Sequence, residues 1–194
     1  MKSDVIVVAN NGAQMEKALE QVEKVAVYKN LSHKNALHLR LLAEEAMGML
    51  RSIAGDVKGK FWIEDDNDLF ELHLQVKTDT DEKQRKQLLS VSSSGKNEAA
   101  RGIMGKIRSF FAPEDGLPMF FDASMIDSPS EYSYMAWTMS EYEKQVRINV
   151  EKKQRGAEEA WDELEKSVIS NIADDVKVSI SGRDVEMIMY KKMA

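Results

Sequence analysis

Two stretches of this chain place residues where they could do chemistry. The first is Ser92 to Phe111, SSSGKNEAARGIMGKIRSFF. Serines and Gly95 precede a helix expected from about Asn97 to Phe110. A helix N-terminus offers free N–H groups and the positive end of the macrodipole, and Lys96 adds a full charge, so an anion could be held there. The run Gly102-Ile103-Met104-Gly105-Lys106-Ile107 is not a Walker A loop, because its spacing is wrong and no Ser or Thr follows the lysine. The competing reading is an ordinary loop and helix whose glycines ease close packing. The second stretch is Leu31 to Gly55, LSHKNALHLRLLAEEAMGMLRSIAG, where Glu44 and Glu45 interrupt an apolar run and Gly48 sits in mid-helix. That glycine costs about 1 kcal/mol against alanine, so it has to be explained. It lets something approach the helix closely, and the reading favoured on geometry is another backbone rather than a ligand.

The elements that must position these residues follow from periodicity. Leu31 to Gly55 is expected to be one helix. Ser32 is its N-cap, Leu31 holds the staple position, and Gly55 is a C-terminal stop. Leu39, Leu42, Ala43, Ala46, Leu50 and Ile53 recur at helical spacing, which puts Leu42 in the core. Before it, Asp4 to Ala9 reads as a strand ended by Asn10-Asn11-Gly12, and Ala13 to Tyr28 as an amphipathic helix. After it, Lys60 to Glu64 and Leu69 to Thr78 form a hairpin about the turn Asp65–Asp68. Phe70, Leu72, Leu74 and Val76 point inward and Glu71, His73, Gln75 and Lys77 outward, so His73 is expected on a wet sheet face. Glu82 to Val91 reads as a charged helix, Pro113 to Pro129 as a long surface connection and Glu131 to Thr138 as a strand. Ser140-Glu141-Tyr142-Glu143 reads as a capping box opening a helix that Gly156 breaks. Ala157 to Ile172 is expected to be one amphipathic helix with Trp161 in the core. Val176 to Met193 closes the chain as a hairpin about Ser181–Asp184. One-sided alternation predicts an α/β (α+β) two-layer sandwich, with a mixed, mostly antiparallel sheet covered on one face by helices.

Composition narrows the function classes. The 194 residues are enough for one domain with a real core, and a net charge of −6 with no obvious basic face argues against nucleic acid. The chain has no cysteine, which excludes disulfides and thiolate metal sites. His33, His38 and His73 are too scattered for zinc, and no metal ligand is assigned. The N-terminus lacks the apolar core of a signal peptide and no run approaches a membrane span, so a cytoplasmic location is expected.

The stretch Leu31–Gly55 resembles the first conserved helix of the histidine-kinase-like ATPases (GHKL, Bergerat fold), and looks most like that of the anti-sigma-factor serine kinases. The N box of that family is Glu-Ala-x-x-Asn. The matching run here is Glu45-Ala46-Met47-Gly48-Met49. The resemblance implies that Glu45 serves as general base, and that Met49 stands where an Asn would ligate Mg²⁺. A thioether is a poor ligand for that hard cation. It also implies that Asp79, after the second hairpin strand, reads adenine, although the glycines of the family's G1 box are missing there. Gly102 and Gly105 are similar to its glycine-rich G2 segment, with Gly95 and Lys96 on the phosphate side. Both ends of the chain match the family, including the closing helix–strand–strand. Residues 81–156 look like a replaced or enlarged lid within a single domain of residues 1–194.

Two functions follow as expectations. One is a regulatory or binding module that kept the fold, lost catalysis and binds ATP weakly, with little dependence on Mg²⁺. It would act on a protein partner, and the reading leaves a homodimer open. The other is an active ATPase or serine kinase with Glu45 as base. A metal-dependent hydrolase has only scattered acidic residues behind it.

Overall fold

The computed structural model describes residues 1–53, 56–77, 103, 105, 107, 135–181 and 183–193. Its elements run β1 (Ile6–Ala9), α1 (Met15–Tyr28), α2 (His33–Arg51), β2 (Lys58–Asp66), β3 (Leu69–Lys77), β4 (Met135–Thr138), α3 (Met139–Glu151), α4 (Ala157–Glu165), α5 (Val168–Ile172), β5 (Asp175–Ser181) and β6 (Asp184–Lys192). The strands form one six-stranded sheet in the order β1-β2-β3-β6-β5-β4. Every pairing among these strands is antiparallel, so the parallel component expected of a mixed sheet is not found there. The molecule is an α+β sandwich.

Alternation decides which face the helices cover. Phe61, Ile63, Leu72, Leu74, Val178, Met187 and Met189 lie on one face of the sheet and are buried. They share a core with Leu42, Ala46 and Leu50 of α2, Ala18 and Val22 of α1, and Ile169 of α5. Leu42 is fully buried, as its place on the stripe predicts. Asn10 fastens the layers. Its backbone N–H donates to Val57 O, its Nδ2 donates to Ile53 O at 2.9 Å, and its Oδ1 accepts from Val57 N. One side chain therefore ties the end of β1 to the segment joining α2 and β2.

Helix ends follow local hydroxyls more than the sequence pattern suggests. Ser32 caps α2 as expected, its Oγ accepting from Asn35 N at 3.2 Å. The helix stops before Gly55, at Arg51. Ser52 takes the C-cap, and both its N–H and its Oγ reach back to Met49 O. Gly55 itself lies outside the described residues. At α3 the cap is Thr138 rather than Ser140, because β4 runs straight into the helix and the threonine hydroxyl meets Glu141 N. Ser140 instead donates both N–H and Oγ to Asp175 on β5. The helix expected over Ala157–Ile172 is two helices. Ser170 Oγ bonds to Leu164 O and Ser167 O, and Asn171 Nδ2 to Glu165 O and Ser167 O, so side chains take carbonyls at the break. Trp161 is correspondingly half-buried rather than core. Its Nε1 donates to Glu165, and Arg147 stands 5.5 Å from its ring. Gly156 does separate α3 from α4, with φ +80° as the N-cap of α4.

The hairpin turn is shorter than Asp65–Asp68. Asn67 and Asp68 alone connect β2 and β3, with Asn67 at φ 55°. Asp65 is instead a buried strand residue opposite Phe70, and its carboxylate accepts from Lys29 at the end of α1. His73 is also buried, against the wet position expected for it. The register puts Trp62 directly opposite, and the indole stacks on the imidazole with centroids 4.6 Å apart and planes 10° apart.

Candidate functional site

The candidate site is one flank of α2. Residues three or four apart on a helix are surface neighbours, so Glu45, Gly48 and Ser52 form a line along the helix, and Met49 lies one turn beyond Glu45. Sequence pattern makes this helix by burying Leu39, Leu42, Ala46 and Leu50, and that burial fixes where the adjacent flank points.

Glu45 is half-buried. Among the described residues it has neither a hydrogen bond nor an ion pair. Burial pushes its carboxyl above the usual carboxylate range, and the neighbouring charge of Glu44 pushes the same way. An unpartnered carboxyl of raised pKa holds its proton more readily than a solvated one, which suits a group that exchanges a proton with a ligand. Gly48, one turn along, is exposed, and a Cβ built on it would meet nothing within 4 Å. Among the described residues no backbone packs against this glycine, so the neighbour expected there is not found among them. Ser52 Oγ is already committed to Met49 O.

Met49 is 3% exposed and part of the hydrophobic core. Its thioether is buried in that apolar cluster, and a thioether is a poor donor for Mg²⁺. Changing it to Asn would bury an amide in an apolar cluster, at a cost of about 1–3 kcal/mol if unpaired. Among the described residues no group of three or more His, Asp or Glu side chains is arranged to hold a metal ion.

His38 stands two turns before Glu45 on the same helix. Its Nδ1 is buried without a hydrogen-bond partner. Burial lowers its pKa first, and the positive charges of Lys191 and Lys34 lower it further. Both causes favour the neutral form of the ring.

Of the other sequence-derived candidates, Asp79, Gly95, Lys96 and Gly102 lie outside the described residues. Gly105 is helical and half-buried, between Ile103 and Ile107, which join the core that holds Met49. No helix among the described residues is long and apolar enough to cross a membrane. Sequence reasoning passed over the Trp62–His73 pair, although the signal was present. Once Phe61 and Ile63 are inward, Trp62 must share the outer face with His73. Comparison of the chain with family models, with curated proteins and with solved structures finds no match.

Proposed function

We propose that the chain is a regulatory or binding module built on a histidine-kinase-like ATPase fold that has lost catalysis. It takes ATP weakly at the α2 flank, without a bound Mg²⁺, and acts on a protein partner. The observation that carries this reading is the divergence of two residues one helical turn apart. Among the described residues Glu45 stays unpartnered and nothing packs on Gly48, while Met49 is buried in the core. A flank of that kind keeps a place for a ligand and offers no oxygen to the metal that would orient its phosphates. The order of helices and strands is compatible with the resemblance of Leu31–Gly55 to that family. One observation favours the second reading, an active ATPase or serine kinase. The raised pKa of Glu45 is what a general base near neutral pH needs.

Titration calorimetry of the whole chain with ATP tests the proposal, run once with Mg²⁺ and once with EDTA. Weak binding of similar strength in both runs is expected. Binding that appears only with Mg²⁺ would favour the enzyme reading, and no heat in either run would remove the nucleotide from the account.

A further inference from the structure

The sheet ends at β1, and the pairing there shows which backbone groups face outward. Met1 and Asp65 exchange backbone bonds, Ser3 N–H donates to Ile63 O, and Asn10 N–H donates to Val57 O. The odd-numbered residues from Val57 to Asp65 therefore aim their backbone groups at the N-terminal strand. Alternation gives Ile6 and Val8, opposite Phe61 and Gly59, to that ladder, and turns the N–H and C=O of Val7 away from it. Ala9 also points away, but the turn uses it: its N–H donates to Ala13 O and its carbonyl accepts from Gly12 N. No strand lies beyond Val7 among the described residues. Its side chain is 54% exposed, Val5 is exposed as well, and the run Val5-Ile6-Val7-Val8-Ala9 has neither the charge nor the proline that usually blunts an edge.

Helix α1 runs alongside this edge. Gln21 Nε2 donates to Ser3 Oγ at 2.8 Å and to Asp4 O at 2.7 Å, and Lys29 reaches Asp65 at the Met1 end. Lys17, Lys24 and Tyr28 stand at helical spacing from Gln21 and share its flank; all three are exposed, Tyr28 by 76%. On the other side of the edge, Lys60 and Lys58 lie opposite Val7 and Ala9, on the sheet face away from the inward Phe61, and are exposed too. None of these four lysines has an ion pair among the described residues. Lys2 is spent on Glu64 at 2.8 Å, and Glu23 bonds Arg40 of α2. Of the remaining acids nearby, Asp4 sits at the edge, Asp56 lies past its Asn10 end, and Glu16 and Glu20 fall on the strip of α1 next to the Gln21 flank rather than on it. Cations therefore bracket the unpaired backbone from both sides.

We propose that the β1 edge and the adjoining flank of α1 take an extended, acidic segment of a partner protein as an added strand. Its backbone pairs with Val7, its apolar side chains lie on Val5, Val7 and Tyr28, and its carboxylates meet Lys17, Lys24, Lys58 and Lys60. Main-chain bonds supply the affinity of such an addition, and side chains supply its selectivity. A second copy of the chain fits less well, because a two-fold pairing of β1 with itself brings the lysine-bearing flanks of two α1 helices together. This surface deepens the reading above, resting on it for there being a protein partner and not for nucleotide binding.

Fluorescence anisotropy of labelled, end-capped peptides against the whole chain supplies the test. One probe alternates valine with glutamate, the other valine with lysine. The glutamate peptide is expected to bind, more weakly as salt is raised, and the lysine peptide is not. Val7→Pro removes a donor that points away from β2, a position where an edge strand accepts proline. It should weaken binding about tenfold through the lost ladder bond. Lys17→Glu combined with Lys24→Glu should weaken it through charge. Where Val7→Pro fails to fold by circular dichroism, the glutamate peptide N-methylated at alternate residues takes its place, and of the two alternating patterns one should bind and the other not. No binding of the glutamate peptide, equal affinity for both probes, or binding indifferent to Val7→Pro and to both methylation patterns would overturn the proposal. So would a dimer that Val7→Pro dissolves, which would give the edge to a second copy. The ATP titration is read separately: silence from the peptides beside heat from ATP removes the edge and leaves the nucleotide reading standing.

Discussion

The two flanks of α2 are built on the same helix and differ in how completely they are used. Toward α1, Arg40, Glu44 and Arg51 are all engaged. Arg40 bonds Glu44 at 2.9 Å and also Glu23 of α1, and Arg51 Nε lies 3.0 Å from Met15 Sδ. On the other flank Glu45 has no partner among the described residues, Gly48 faces open space and His38 Nδ1 is buried unpaired. Packing accounts for the first flank. Among the described residues it does not account for the second, where a half-buried carboxyl and a mid-helix glycine each cost stability and meet no partner. The ligand place proposed above would account for that cost.

The buried face between the flanks should show the largest effect. Leu42→Ala is expected to destabilise by about 2–5 kcal/mol, the range for emptying a well-packed leucine site. Chemical denaturation reads this directly. An unchanged midpoint would mean that the helix face, and with it the division into flanks, is misassigned.

Gly48→Ala sharpens the comparison with the opposite sign. Nothing obstructs the added methyl, and alanine is the better helix former, so a gain of about 1 kcal/mol is expected. The denaturation midpoint should rise. The same substitution should weaken ATP binding if the bare surface belongs to the ligand. A loss of stability would reveal a hidden contact at Gly48 and close the open flank.

Glu45→Gln is the smaller change. Burial, aided by Glu44, raises the carboxyl pKa in the folded chain, so the native state binds this proton more tightly than the unfolded state does. The stabilising contribution is present below the ordinary carboxylate range and is lost as pH rises through the folded pKa. Glutamine removes that loss. The variant should therefore melt higher than the wild type at pH 7, with the difference shrinking toward pH 4. Parallel melting curves at the two pH values would show that Glu45 has a partner after all.

Much of this could be read from the chain itself. The stripe from Leu39 to Ile53 gave α2 and its buried face, and the alternation of Phe70 to Val76 gave β3 and its neighbours. Alternation says which side chains share a face but not how that face is finished. His73 was assigned to water because its neighbours in sequence, Glu71 and Gln75, are polar, whereas the groups that bury it come from β2 and β6. The break between α4 and α5 was missed for a related reason. Apolar spacing continues through Ser167, while Ser170 and Asn171 hydrogen-bond the carbonyls that a continuous helix would need. In the candidate site, Glu45 and Gly48 stood out because they violate a simple core pattern. The openness around Gly48 depends on what does not pack there, which no local pattern encodes.

The central claim is that the α2 flank keeps a ligand place and has lost the chemistry. It is tested most directly by steady-state hydrolysis of Mg-ATP by the whole chain, with Glu45→Ala measured in parallel. The account predicts no turnover above a protein-free blank in either sample, because Met49 gives Mg²⁺ no oxygen and Glu45 alone cannot hold phosphate and nucleophile in line. Mg²⁺-dependent hydrolysis by the wild type that disappears in Glu45→Ala would contradict it.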